Sequence, residues 1–358
     1  MADKNITLRQ KNTSGAYNKL YTKTTATQSK LSTATAALFG DDTSDADAAL
    51  AKIADTVKDL GYVVVKVVDQ NGNPIQGAKI IGLYDTPITN SDGIASARLQ
   101  ESTITVSSPY IDLQDKTIDA SSYVGSLNKL IITLQTVGEN NIKRLSSSVS
   151  AKFSKMIKSI DVCCVGGGGS GGGLSQMVYS GIFGGGGGGG IVNSIGITPQ
   201  FAESYSIIVG SGGTYNHSSN GSSGGTSSFG NLLTASGGGG GTLNAGGSAG
   251  ATGCGAGGGN GNGQSNTTIS EFGDNLTFYS GGGGSGSTSK TVPSGGSPNG
   301  ASGSTMQQHG IDAGVAGIGG GGGGASGLAN DSQSPTYWSY QAKGSSGGPG
   351  LVAIRFHF

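Results

Sequence analysis

The sequence predicts a mainly β, multidomain fold: short helical connectors, a small β-sandwich, and a C-terminal glycine-rich domain of polyglycine-II-type helices clamped by β-strands. Three observations carry that reading. Glycine makes up 71 of 358 residues, against about 7% in an average protein. It is also unevenly placed: residues 1–160 hold nine glycines, and the rest of the chain holds 71 − 9 = 62. Charge follows the same boundary, since Lys290, Lys343 and Arg355 are the only basic residues after 160, against six acidic ones. Between 62 and 136, β-branched runs alternate with Asn-Gly and Asp-Gly turns, the mark of short strands joined tightly.

Residues 1–43 are rich in Thr, Ser, Lys and Ala, with scattered apolar positions such as Ile6, Leu8, Tyr17, Leu20, Tyr21, Leu31, Leu38 and Phe39. Such a segment cannot close a core of its own, so it is expected to be extended and to order on a partner. Over 44–61 the helix signals agree with one another. Ser44-Asp45-Ala46-Asp47 is an N-terminal capping pattern whose acids complement the dipole, and Gly61 supplies the stop. Ala46, Leu50, Ile53, Val57 and Leu60 follow heptad spacing, which fits either a trimeric coiled coil or a helix packed on its own chain.

Strand signals begin at Tyr62. Val63, Val64, Val65, Val67 and Val68 lead into Asp69-Gln70-Asn71-Gly72-Asn73-Pro74, a turn. Lys79 to Leu83, Ile94 to Leu99, Thr103 to Val106 and Leu130 to Leu134 complete a sandwich over 62–136. The pattern of strand, Asp-x-x-Gly-x-Pro-ϕ-x-Gly-Ala, strand and Thr-x-x-Asp-Gly, met by Asp69 to Ala78 and Thr89 to Gly93, resembles the carboxypeptidase-regulatory-like (CnaB-like) family. That resemblance implies a spacer or stalk. Some members carry a Lys-Asn isopeptide bond; Lys66 lies in the first strand, but the last strand holds no matching Asn. Residues 137–160 read as a helical connector, with Ile142, Leu145, Val149, Phe153, Met156 and Ile160 on one face and five basic residues off it. A solvated face explains those cations better than a nucleic-acid stripe.

Three polymers can be made from this much glycine. Collagen needs Gly at every third position, and runs such as Gly184 to Gly190 have no such period. A flexible linker lacks the apolar punctuation seen at Ile160 to Val165, Tyr205 to Val209, Ser227 to Phe229 with Leu232-Leu233, Leu276 to Tyr279, and Leu351 to Phe356. What remains over 161–358 is a lattice of extended glycine runs. Such runs have no internal hydrogen bonds, so each must pair with its neighbours, and the absence of side chains lets them approach on every side.

The succession Asp161-Val162-Cys163-Cys164-Val165-Gly166-Gly167-Gly168-Gly169-Ser170-Gly171, Thr198-Pro199, Tyr205 to Gly213, Gly225 to Gly230, Leu233 to Gly239 and Gly350 to Phe356 resembles the glycine-rich domain of phage tail-fibre and tail-tip adhesins. Ala16 to Thr24 is similar to the baseplate-proximal start of tail fibres from phages of Gram-positive hosts. The resemblance implies a homotrimeric receptor-binding protein of a phage or tailocin. It would sit at the virion's tail fibre or baseplate tip, held to tail proteins through Tyr17, Leu20 and Tyr21, and bind a bacterial surface glycan or protein.

Other chemistry is poorly supported. Basic and acidic residues balance at 21 each, which gives no electrostatic preference for nucleic acid or membrane. The first twenty residues lack an apolar signal region, so a product made in the cytoplasm and released by lysis or assembly is expected. Gly-x-Gly-x-x-Gly recurs by composition alone, without the strand-loop-helix context that cradles phosphate. His217, His309 and His357 are far apart in the sequence and have no ligand spacing, so neither metal nor cofactor is expected. Cys163, Cys164 and Cys254 make no disulfide framework; adjacent Cys163 and Cys164 should face opposite sides of a strand and be buried. No nucleophile elbow frames a Ser-His-Asp set. Glu203, Glu271, Asp274, Asp312 and Asp331 read as solvated loop residues rather than a glycosidase pair. A non-enzymatic adhesin is the expectation, against a surface-glycan depolymerase or a purely structural fibre element. Recognition is placed on bulky residues between the runs: Tyr337, Trp338 and Tyr340, then Tyr215, His217 and His309.

Overall fold

The computed structural model describes residues 7–11, 17–21 and 61–358, except 126–128, 138–140, 174–180, 202, 217–219, 253, 267–268, 274–278, 288–290, 306–312 and 328–340. The helix expected at 44–61 therefore lies outside the described residues, save Gly61. The chain is mainly β and divides into two compact units, 1–109 with 113–135, and 110–112 with 136–358.

In the first unit, β1 (Thr7–Lys11) and β2 (Tyr17–Tyr21) pair antiparallel, with Thr7 opposite Tyr21 and Lys11 opposite Tyr17. Of the segment expected to be extended and to order on a partner, residues 7–11 and 17–21 thus pair as a two-stranded sheet.

Two three-stranded sheets follow. β3 (Tyr62–Val68) is the middle strand of one sheet, antiparallel to β5 (Ile94–Arg98) and parallel to β8 (Leu130–Thr133). The second sheet runs β4 (Lys79–Ile81), β6 (Thr103–Ser107), β7 (Lys116–Asp119), all antiparallel. Period-two burial appears in both: Val63, Val65 and Val67 in one, Ile80, Ile104 and Val106 in the other. β7 was not foreseen, because Lys116-Thr117-Ile118-Asp119 is a short, polar edge strand. The turn residues act through their oxygens. Asp69 Oδ1 accepts the N–H groups of Asn71 and Asn73, and buried Thr89 Oγ1 accepts Ala78 N–H while donating to the Ile75 carbonyl. A Cβ on Gly93, at φ +72°, would meet the Val67 carbonyl oxygen at 2.4 Å, so this turn admits only glycine. Replacing Thr89 by Val keeps the shape but strands a buried N–H and a buried carbonyl. The expected loss is about 1–3 kcal/mol, read as a lower urea midpoint with an unchanged m-value.

The second unit corrects the helical reading of 137–160. Residues there form β9 (Ile142–Leu145) and β10 (Val149–Ala151) and lead into β11 (Ser159–Val165). Ser146-Ser147-Ser148 weakens a helix by offering local backbone hydrogen bonds, and two sheet edges take up the flanking apolar residues instead. The remaining strands are β12 (Gly181–Ile182), β13 (Ile191–Ile197), β14 (Tyr205–Ile208), β15 (Ser227–Phe229), β16 (Leu233–Ala235), β17 (Ser326–Gly327), β18 (Gln341–Ala342) and β19 (Leu351–His357). They make sheets ordered β13-β11-β19-β9, β10-β14-β15-β16 and β12-β17-β18.

β11 is buried on both faces. Ile160, Val162 and Cys164 join Phe153, Ile207, Phe229, Val352, Ile354 and Phe356 in one core; Cys163 and Val165 join Ile191, Cys254, Phe272, Tyr279 and Leu351 in the other. Phe153, expected on a helix face, lies edge-on to Tyr205 at 5.5 Å, and Tyr205 stacks on Phe229 at 5.3 Å.

Beyond the strands, the glycine runs form a lattice with a three-residue repeat. In the run 166–172, Gly166, Gly169 and Gly172 donate to Gly190, Gly187 and Gly184; Gly167 and Ser170 donate to Gly225 and Ser222; Gly168 and Gly171 donate to Gly348 and Ser345. The carbonyls answer in three other directions, accepting Gly238 and Gly241, Gly322 and Ala325, and Gly213. The runs so reached also bond to one another around the ring, for example Gly184 to Thr242, Gly224 to Gly238, Gly225 to Ser211, Gly347 to Gly213, Gly348 to Gly320 and Gly186 to Gly322. Run 166–172 is therefore the axis of a closed hexagon. Run 184–190 is the axis of a second, shared one, ringed by 166–172, 236–242, 247–250, 255–258, 281–286 and 319–325. Three residues per turn with all bonds between helices is the polyglycine-II arrangement.

Glycine is required here by proximity, not by backbone angle. A Cβ on Gly169 would lie 2.0 Å from the Gly239 carbonyl oxygen, on Gly186 2.0 Å from that of Gly169, and on Gly187 2.0 Å from that of Ser248.

Candidate functional site

The runs alternate in direction, so the lattice has two ends, and these differ in chemistry. One end carries the sheets β13-β11-β19-β9 and β10-β14-β15-β16. The opposite end is traced by Gly172 to Gly184, Gly184 to Thr242, Ala325 to Gly172, Gly171 to Ser345, Ser170 to Ser222, Gly185 to Gly258 and Gly286 to Phe183, with Ser287 bridged to Thr305. The described residues flanking 174–180, 217–219, 288–290, 306–312 and 328–340 all lie there, as do the connections 243–245 and 259–262. β17 pairs with β18, Ser326 opposite Ala342 and Gly327 opposite Gln341, so the two flanks of 328–340 are adjacent. β12 pairs with β17 and brings the end of segment 174–180 to the same place.

Of the recognition residues expected from sequence, Tyr215 is described and lies at this loop end. Its N–H donates to Ser346 Oγ at 3.0 Å, and its ring lies against the backbone of Gly344, where an added Cβ would approach Cε2 to 2.6 Å. His217, His309, Tyr337, Trp338 and Tyr340 lie outside the described residues. Tyr17, Leu20 and Tyr21 sit on β2, in the other unit. Loop-end residues that composition did not single out are Leu243, 54% exposed, and Asn244, exposed at φ +59°, a conformation that Asn tolerates.

The sheet end holds the ionic groups. Arg144 Nε and Nη2 donate to the two oxygens of Glu271 at 3.0 and 2.6 Å, and Glu271 is 2% exposed. That corrects the reading of Glu271 as a solvated loop residue. Asp161 accepts His357 Nε2 at 2.9 Å and Gly196 N–H at 2.9 Å, with Arg355 at 3.7 Å and lying over the Phe272 ring. Asn193 Nδ2 donates to the Ser270 carbonyl at 2.7 Å. Residues 269–273 are thereby fastened across the sheet from β9, β13 and β19. The signal for His357 with Asp161 was strand register, Asp161 opposite Arg355 and Ser159 opposite His357, which sequence spacing does not carry.

All three cysteines are buried and free. Burial pushes the Cys163 thiol up, with a further contribution from the nearby Glu271 carboxylate; it pushes Cys164 up to about 12 and raises Cys254. A thiol must ionise to react, so a thiol-reactive dye is expected to label none of them between pH 7 and 9, and all three once urea unfolds the chain. Among the described residues, no group of three or more His, Cys, Asp or Glu is placed to hold a metal, and no helix is long and apolar enough to cross a membrane.

A family model described as a glycine-rich domain matches residues 145–357. The chain belongs to this glycine-rich domain family. No curated protein matches it. The glycine-rich domain so defined takes in part of β9, all of β10 and both hexagons, so its start precedes the first glycine run by about two strands.

Proposed function

We propose that this chain is a receptor-binding protein of a phage tail fibre or tail tip, which attaches the particle to a bacterial surface. The observation that carries the reading is the polarity of the glycine-rich domain: the two four-stranded sheets and the ion pairs gather at one end, and the connections 243–245 and 259–262, the flanks of 174–180, 217–219, 288–290, 306–312 and 328–340, and the small β12-β17-β18 sheet gather at the other. A rigid scaffold that presents many variable-length loops on one face is how binding surfaces are commonly built. Tyr337, Trp338, Tyr340, His217 and His309 fall in segments whose flanks lie at that end, beside Tyr215, and they are the residues we assign to recognition. The β1-β2 pair with Tyr17, Leu20 and Tyr21 is assigned to the tail, as a template for strand addition by a tail protein. The chain is proposed to act as a homotrimer without catalysis, and its partner is a surface glycan or protein.

The test uses the intact, fluorescently labelled chain on a panel of bacterial cells. Saturable binding to some strains, reduced at least tenfold by Trp338→Ala with unchanged melting, supports the reading. Absence of binding to every strain, or release of soluble sugar from the bound surface, overturns it in favour of a structural or a depolymerase role.

A further inference from the structure

Asn-Gly occurs five times in the chain, at Asn71, Asn220, Asn260, Asn262 and Asn299. In this dipeptide the side-chain amide is open to attack by the next backbone nitrogen, because glycine has no Cβ to shield that nitrogen. Exposure does not separate the five, since Asn71, Asn220, Asn260 and Asn262 are all exposed. The amide that follows does. Gly72 N–H donates to the Asp69 carbonyl at 3.0 Å, Gly221 to Gly241 at 2.8 Å, Gly263 to Ser294 at 2.9 Å and Gly300 to Gly296 at 3.0 Å. Two of the side chains are held as well: Asn262 Oδ1 accepts Ser294 N–H at 2.8 Å, and Asn299 Nδ2 donates to the Ile318 carbonyl at 3.2 Å. Among the described residues Gly261 N–H donates to no acceptor, and nothing lies within 4 Å of a Cβ built on Gly261. Its carbonyl accepts Ser285 N–H at 2.9 Å, so this residue is tied to the lattice on one side and open on the other.

We propose that Asn260 is a site of self-modification, where the folded chain converts a side-chain amide to a carboxylate without an enzyme. Solvent base takes the Gly261 amide proton, and the nitrogen attacks Asn260 Cγ. The N–Cγ bond forms as the Cγ–Nδ2 bond breaks, and Nδ2 takes up a proton and leaves as ammonia. Water then opens the resulting five-membered imide at either carbonyl, which yields aspartate or isoaspartate and releases one proton. No oxidation or reduction is involved. At the other four positions the amide must first leave its hydrogen bond, and the rate is scaled down by the fraction of time it spends open. The product places a carboxylate in the connection 259–262, where a Cβ on Gly259 would lie 3.2 Å from the Asn244 carbonyl oxygen. The isoaspartate form also reroutes the main chain through the former side chain. This site does not depend on the receptor-binding reading.

The experiment incubates the intact chain at mildly alkaline pH in water enriched in heavy oxygen, both folded and in guanidinium chloride. Mass spectrometry of its peptides then locates the incorporated isotope, which marks conversions that occur during the incubation. In the folded chain Asn260 is expected to convert at least tenfold faster than Asn71, Asn220, Asn262 or Asn299, and in the unfolded chain the five rates should agree within threefold. Gly261→Ala, which places a methyl where there is room for it, should slow conversion at Asn260 at least tenfold with unchanged melting. Should that variant fail to fold, the folded and unfolded rates of the unaltered chain decide alone. Conversion at Asn260 no faster than at the other four sites, a preference for Asn260 that survives unfolding, or a rate untouched by Gly261→Ala in a folded chain overturns the assignment.

Discussion

Gly187→Ala is expected to lower the melting temperature of the glycine-rich domain by about 2–12 °C, or to prevent its folding. The added methyl would sit 2.0 Å from the Ser248 carbonyl oxygen, and backbone, unlike a side chain, cannot swing aside. Overpacking a close-packed interior costs about 1–3 kcal/mol and occasionally more, and a domain of this size loses about 2–4 °C per kcal/mol. Here the displaced run would also strain bonds such as Gly187 to Gly239 and Gly169 to Gly187. The control is Gly261→Ala, where nothing lies within 4 Å of the new methyl and φ is not positive. It should be neutral or slightly stabilising, because alanine restricts the unfolded chain. Calorimetry of the two variants separates a steric role for glycine from a conformational one: equal effects would refute the lattice argument.

Arg144→Met is expected to destabilise the same domain by about 3 kcal/mol, since removing one partner leaves a charge buried without compensation. Glu271 is 2% exposed and both its oxygens point to Arg144. Arg144 itself is 45% exposed, which keeps the figure at the low end of the range. The double variant Arg144→Met/Glu271→Gln should recover more than half of the loss. If it melts no higher than Arg144→Met, the ion pair is not what holds residues 269–273 to the sheet.

The lattice was legible in sequence because its cause is compositional. Runs such as Gly184 to Gly190 lack a core-forming side chain, so main-chain pairing was the one way left to stabilise them. The strands at Ile160, Tyr205, Ser227 and Leu351 were legible as apolar segments between the glycine runs, and the opposite faces of Cys163 and Cys164 as strand geometry. The segment 137–160 was misread because Ile142, Leu145, Val149 and Phe153 satisfy a helical seam in isolation. β9 and β10 form only because Arg355 to Val352 and Tyr205 to Ile207 present open edges to them. β12, β17 and β18, two residues each, carry no periodic signal of their own.

Sequence by itself determined which residues are scaffold: glycine where helices must approach on all sides, β-branched and aromatic residues where a small core closes. Only the tertiary structure decided which end of that scaffold displays its connections. Direction along a glycine run leaves no trace in composition. It emerges when each N–H finds a carbonyl on a neighbour whose own direction is set by the strands at its foot. The same step brought Asp161 to His357 and Arg144 to Glu271, pairs separated by 196 and 127 residues.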